Sequence, residues 1–387
     1  MDTRRPTRAR ERRRFLGVLA GVGVSGGLMA HSSAATGLRV AQRRIYLGAY
    51  TKGADPAPGI GLANMDLKTG ALTLDGTVEG VDSPSFLALS PSGQTLYAVN
   101  ELPEGRVSAF AVEREGLRFL NHRSTQGAGP CHLSVHPSGR YLLTANYGSG
   151  NVVVHPINAD GSLAEAVDLI QHTGSGPHPK RQQKPHPHMV MPDPTGRRAL
   201  VADLGNDSVY VYRFDLVRGR LTIESQLRTQ AGAGPRHLAF HPSERTVYVI
   251  NELDSTIITC GYDPTTGALT AGQTASTLPK GTTVSNEVAE VLMSPNGRFV
   301  LVSNRGHDSI AVFNVDRPGY ALRLRATYPC GGKTPRHMSF DATHRFLLVA
   351  NQGSGLITTF RANHRTGELT PTGHTLATPS PACVLPG

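Results

Sequence analysis

One motif recurs seven times along the chain, and it restricts the fold more than any other feature. The full module runs Pro (Val in the fifth copy), a variable residue, a short apolar strand, a Pro-Ser-Gly-type turn, a second apolar strand, then Asn or its substitute and one variable residue. The copies read PSFLALSPSGQTLYAVNE, PCHLSVHPSGRYLLTANY, PHMVMPDPTGRRALVADL, PRHLAFHPSERTVYVINE, VAEVLMSPNGRFVLVSNR, PRHMSFDATHRFLLVANQ and a truncated PACVLP. They start at 84, 130, 187, 235, 288, 335 and 381, so the spacing lies between 46 and 57 residues. Each full copy continues into a third strand, such as 208–214 or 309–314, and a Gly-containing turn before a fourth. Four antiparallel strands at this period are the signature of a β-propeller blade.

The truncated last copy explains the chain ends. Strand 382–385 lacks partners, whereas 45–50, 59–66 and 71–78 form three strands without an inner one. Pairing them closes a seventh blade from both termini and leaves no exposed sheet edge. The expectation is an all-β, seven-bladed propeller of four-stranded antiparallel blades, occupying residues 36–387 as a single domain. Composition agrees: 43 Gly, 27 Pro and no Trp among 387 residues, with 18% charged, suit many short strands and exclude coiled coils and disordered polymers.

The formal net charge of +10 points first to nucleic acid, but half of it sits in residues 1–35, where seven Arg face only Asp2 and Glu11. No later basic run is interleaved with aromatics, so no nucleic-acid partner is expected. Arg12-Arg13-Arg14-Phe15-Leu16 fits the twin-arginine pattern, followed by a weakly apolar Gly-rich stretch and small residues at Ser33-Ala34-Ala35. That stretch of about 14 residues is too short to span a bilayer. Residues 1–35 are therefore read as a twin-arginine signal peptide. The transport machinery is the partner, the periplasm or the exterior the destination, and no membrane attachment follows its removal. A monomer is expected. Cys131, Cys260, Cys330 and Cys383 show no metal-binding spacing and are read as buried small hydrophobes, although two disulfides remain open. No metal or other cofactor is expected.

Propeller geometry makes a site map. Residues before the first strand and after the second meet at one end of the ring. Read around it, the pairs are Ser85/Glu101, Cys131/Tyr147, His188/Leu204, Arg236/Glu252, Ala289/Arg305 and Arg336/Gln352. Arg236 is expected opposite Asn251. His188 and His186, in Pro185-His186-Pro187-His188 where the prolines limit backbone freedom, are candidates to pass a proton. Arg236 offers a planar fork for an anion or oxyanion, and Arg305 a second one. Glu252 either activates water or pairs with Arg236. Glu290 interrupts an apolar strand where other blades carry His132, His237 and His337, which read as blade-to-blade anchors. Asp203 replaces the Asn that five other blades carry and reads first as structural, with substrate contact as the alternative. No G-x-S-x-G elbow or phosphate-cradling Gly loop is found, so acid–base groups with cationic stabilisation must carry any catalysis.

The order of blades, the P-R-H and S-N-R-G motifs and the K-P-H-P-H segment (184–188) resemble the seven-bladed lactonase family, over essentially the whole chain after residue 43. That family includes bacterial propeller-type 6-phosphogluconolactonases and fungal carboxymuconate lactonising enzymes. The resemblance implies hydrolysis of a small anionic lactone of sugar-acid or muconate type. His188, Arg236, Glu252 and Arg305 would be catalytic, with His186, Glu290, Arg336 and Asp203 touching substrate. Two alternatives stay open: a cycloisomerase that shuttles a proton beside a carboxylate, and a non-catalytic propeller that binds protein or peptide on the same face.

Overall fold

Apolar, β-branched runs punctuated by Pro-Ser-Gly turns fold as short strands that pair with their chain neighbours. The computed structural model describes residues 42–316 and 320–387; the twin-arginine segment lies outside them. Seven four-stranded antiparallel sheets follow one another. Blade 1 is built from Leu87–Leu89, Thr95–Asn100, Arg106–Glu113 and Gly116–Ser124. Blades 2 to 6 occupy 130–171, 187–228, 235–276, 287–329 and 335–377. In blade 7 the inner strand is Pro381–Pro386, hydrogen-bonded to Gln42–Ala49, which continues into Gly59–Asp66 and Leu72–Glu79. The C-terminal strand and the first described strand therefore close the ring, within three residues of the bounds expected from sequence.

Each blade buries its two faces against its neighbours. Between blades 3 and 4, Leu200, Val209 and Val211 meet Val247, Val249 and Ile258; blade 7 packs Ile45, Met65 and Val384 on Phe346 and Leu348 of blade 6. On its other face Tyr46, Ile60 and Cys383 meet Leu87 and Leu96 of blade 1. All four cysteines are free and buried, so they serve as core residues. No helix among the described residues is long and apolar enough to cross a membrane.

One register feature departs from the sequence reading and shapes the site. Pro235, not Arg236, opposes Asn251, and His237 opposes Ile250; Arg236 is the extra residue of a β-bulge. The same shift occurs at Pro130/His132, Pro187/Met189 and Pro335/His337, and in blade 5 between Val288 and Val291. In four of these blades a proline, which has no N–H to give the ladder, precedes the bulged residue, and blade 5 makes the shift with Val288 in its place; the bulged residue is free to turn out of the pleat. Cys131, His188, Arg236 and Arg336 all occupy this position.

One residue further along the strand, the rings of four blades meet. Phe86 of blade 1 lies 4.3 Å from His132, 5.4 Å from His337 and 6.3 Å from His237, centroid to centroid. Side chains from blades 1, 2, 4 and 6 approach this closely only on the ring axis, so this layer plugs the channel. The three imidazoles also join blades, as expected: Val190 N–H donates to His132 Nδ1, Val384 N–H to His337 Nδ1, and His237 Nδ1 lies 3.0 Å from Glu290 Oε1.

Candidate active site

Above the plug, the bulged residues and those following the second strands form a charged cluster centred on Glu252. Arg236 Nε lies 2.7 Å from Glu252 Oε2, and Arg305 Nη2 lies 3.0 Å from the same oxygen. Arg181 Nη2 holds the other oxygen, Oε1. Arg236 and Glu252 are each only 2% exposed. Arg236 Nη1 donates to the Ala289 carbonyl and Arg305 Nη2 to that of Val288, so blade 5 backbone fixes both forks. Arg181 and Arg305 also reach Glu287, at 2.6 and 3.4 Å.

Burial alone would raise the Glu252 carboxyl, but Arg305, Arg236 and Arg181 outweigh it and hold it at about 2. Glu252 is thus ionised at neutral pH, and guanidiniums occupy both of its oxygens. Burial pulls Arg236 down to about 10, with Glu252 opposing, so it stays charged at pH 7. His188 is pushed well below its ordinary value, first by burial and then by the Arg236 charge. It is a neutral imidazole at pH 7, and its buried Nδ1 has no hydrogen-bond partner. Its ring stands 5.2 Å from that of His237 and 5.6 Å from that of Tyr147.

A second polar chain completes the mouth. Arg336 Nη2 donates to the Tyr50 hydroxyl at 2.8 Å, Tyr50 donates to Glu101 Oε2 at 2.9 Å, and Ser85 Oγ donates to the same oxygen at 2.5 Å. Burial raises Tyr50, which keeps its proton for this bond. Arg336 also lies over the Tyr50 ring, 5.4 Å from its centroid.

A family model described as Lactonase, 7-bladed beta-propeller, matches residues 44–386. The chain belongs to this seven-bladed lactonase family. The 6-phosphogluconolactonase of Bacillus subtilis is 37% identical over 342 residues, 88% of this chain and 97% of the Bacillus protein. A solved structure described as the Pseudomonas aeruginosa periplasmic gluconolactonase, PpgL, matches with a TM-score of 0.84 at 30% identity, covering 89% of this chain and 99% of that one. A protein from Lactobacillus plantarum matches with a TM-score of 0.85 at 34% identity over 90% of this chain and all of its own.

Within this lactonase-family propeller the candidates read from sequence separate into three groups. His188, Arg236, Glu252 and Arg305 share the mouth, as does Arg336 on the Tyr50 side. Glu290 lies one layer down, in the plug, between His237 Nδ1 (3.0 Å) and His337 Nε2 (3.5 Å). Burial raises its carboxyl against the pull of His337 and Arg236. His186 stacks on Tyr147 at 4.3 Å, and its Nδ1 lies 2.7 Å from the Tyr147 carbonyl. Asp203 is wholly buried: it accepts from the His186 and Gly205 backbone N–H groups and meets His172 Nδ1 at 2.6 Å. Its carboxylate holds the loop before blade 3 and does not join the charged cluster.

Three members of the site were missed. Tyr50 follows Ala49, which pairs with Pro381, so it occupies the Glu252 position of blade 7. The split copy places this second strand at the other end of the chain, outside any single repeat. Arg181 comes from the loop before blade 3, and Glu287 is the first residue of blade 5's inner strand, paired with Arg305. The signal was present, because the two longest spacings, 57 and 53 residues, contain them.

Proposed function

We propose that the chain hydrolyses a small anionic lactone of the sugar-acid type at the mouth formed by His188, Arg236, Glu252 and Arg305. The observation that carries this reading is a neutral, buried imidazole with an unpartnered ring nitrogen, in the cluster that holds the buried Arg236 guanidinium. His188 accepts a proton from water as the water oxygen bonds to the lactone carbonyl carbon. The carbonyl oxygen becomes an oxyanion beside Arg236, whose fork is oriented by Glu252 and by the Ala289 carbonyl. Collapse breaks the bond to the ring oxygen, which takes the proton back from His188. The product is an open hydroxy acid, and its ionisation releases one proton at neutral pH. Glu252 acts here by holding Arg236 and Arg305, because guanidiniums take both of its oxygens and leave neither for a water.

We further infer that the protein works outside the cytoplasm after twin-arginine export. The Arg12–Leu16 motif supports this, together with the similarity to a protein described as a periplasmic gluconolactonase. The test of activity is proton release from unphosphorylated and phosphorylated aldonolactones and muconolactones by the purified mature protein. Catalysed opening of an aldonolactone is expected; opening of none of them would refute the reading.

A further inference from the structure

The rim of the mouth carries a carboxylate where no repeat position requires one. Glu287 precedes blade 5's apolar strand core and bridges two guanidiniums, with Oε1 2.6 Å from Arg181 Nη1 and Oε2 3.4 Å from Arg305 Nη2. An anion held between two arginine forks is the arrangement proteins use to grip carboxylate or phosphate groups. Here the anion belongs to the protein.

The exposure of the members is graded. The Arg236 and Glu252 side chains are 2% exposed and Arg305 12%, whereas Arg181 is 30% and Glu287 40% exposed. The inner pair is sealed, and the outer pair faces the entrance. Arg181 is nevertheless placed firmly. Its neighbour Gln182 is wholly buried and donates to the Leu204 carbonyl at 2.8 Å and to Asp207 Oδ1 at 2.7 Å. The strap behind it lies backbone to backbone on the turn before blade 3's third strand: a Cβ at Gly205 would come within 2.0 Å of the Lys184 carbonyl. The Tyr147 hydroxyl accepts from Arg181 Nε at 3.4 Å.

Charge explains why the seat is occupied. Arg181, Arg236 and Arg305 face only Glu252 and Glu287, an excess of one positive charge with Glu287 in place and two without it. We propose that Glu287 is a stand-in for the distal anionic group of the substrate, and that Arg181 together with Arg305 receives that group when Glu287 is displaced. Arg181 is then the residue that selects lactones carrying a phosphate or second carboxylate over those without one. This rests on the lactone reading above, and the experiment is chosen to be independent of catalysis.

The probes are open-chain acids that share one end and differ at the other: 6-phosphogluconate, glucarate and gluconate, titrated calorimetrically into the mature protein. Wild type should bind the first or second more tightly than gluconate, and whichever is tighter identifies phosphate or carboxylate as the group read. Arg181→Ala should weaken the preferred dianion about tenfold more than it weakens gluconate, the worth of one charge-assisted contact at a partly exposed site. Arg181→Lys should restore part of that gap. Glu287→Gln should act in the opposite direction and tighten the preferred dianion by about threefold or more, because the competing charge is gone. A merely structural role for the pair would move both variants the same way and all three acids alike. Equal loss across the acids in Arg181→Ala, weaker dianion binding in Glu287→Gln, or no preference in wild type would overturn the proposal. If binding behaves as predicted while no lactone is opened, the anion seat stands and the hydrolytic reading falls.

Discussion

Replacing Glu252 by Gln keeps the volume of the side chain and removes the charge that three guanidiniums share. Two routes to the magnitude agree. The carboxyl is held at about 2, against an ordinary 4.5, and at 1.36 kcal/mol per tenfold change in proton affinity this is about 3 kcal/mol. Breaking a buried ion pair from one side costs about 3–5 kcal/mol, and the residual amide oxygen favours the lower end. The sign follows from the direction of the shift. A carboxyl whose folded value is depressed contributes its stability above pH 4.5 and loses it as pH falls towards 2. Urea titrations should therefore place Glu252→Gln about 3 kcal/mol below wild type at pH 7, with the gap narrowing to about 2 kcal/mol at pH 3.5. A variant as stable as wild type at pH 7 would refute the hub. So would a deficit that is the same at both pH values, since its origin would then be packing.

Two further outcomes are expected. Arg12→Lys with Arg13→Lys preserves charge but removes the pattern read by the export receptor; full-length precursor should accumulate in the cytoplasm, and mature protein at the normal level outside would contradict the export reading. Deleting residues 381–387 removes the inner strand of blade 7, where Cys383 and Val384 are fully buried; unfolding should shift to markedly lower temperature, and an unchanged cooperative transition would exclude ring closure by that strand.

Legibility from sequence followed the repeat. Seven phased copies with Pro-Ser-Gly turns fixed the blades, their order and the end of the ring where His188, Arg236, Glu252 and Arg305 meet. The positions that depart from the repeat were read less well, for definite physical reasons. Arg236 is the extra residue of a bulge that blade 5 also carries without a proline, and a one-for-one hairpin register does not contain it. Tyr50 lies some 330 residues from its inner strand, so no local pattern links it to the Glu252 position. Arg181 sits on a loop, whose course no strand period dictates, and Glu287 on the strand residue just before the repeat begins; only the longer spacings betray them. Asp203 illustrates the converse. A substitution inside a repeat marks a change of role, but the new partners, His172 and the His186 N–H, become visible only in three dimensions. Arg336, at the position equivalent to Arg236, is likewise no bystander, since it is bound to Tyr50 and through it to Glu101.

The claim on which the functional account turns is that the Arg236 fork acts on the developing oxyanion. Its direct test is the kcat/KM of Arg236→Ala for the aldonolactone that wild type opens best, read by proton release at pH 7. Loss of one buried cationic contact made in the transition state predicts a fall of about 100-fold, concentrated in kcat. Activity within a few-fold of wild type, in a variant that remains folded, would contradict it.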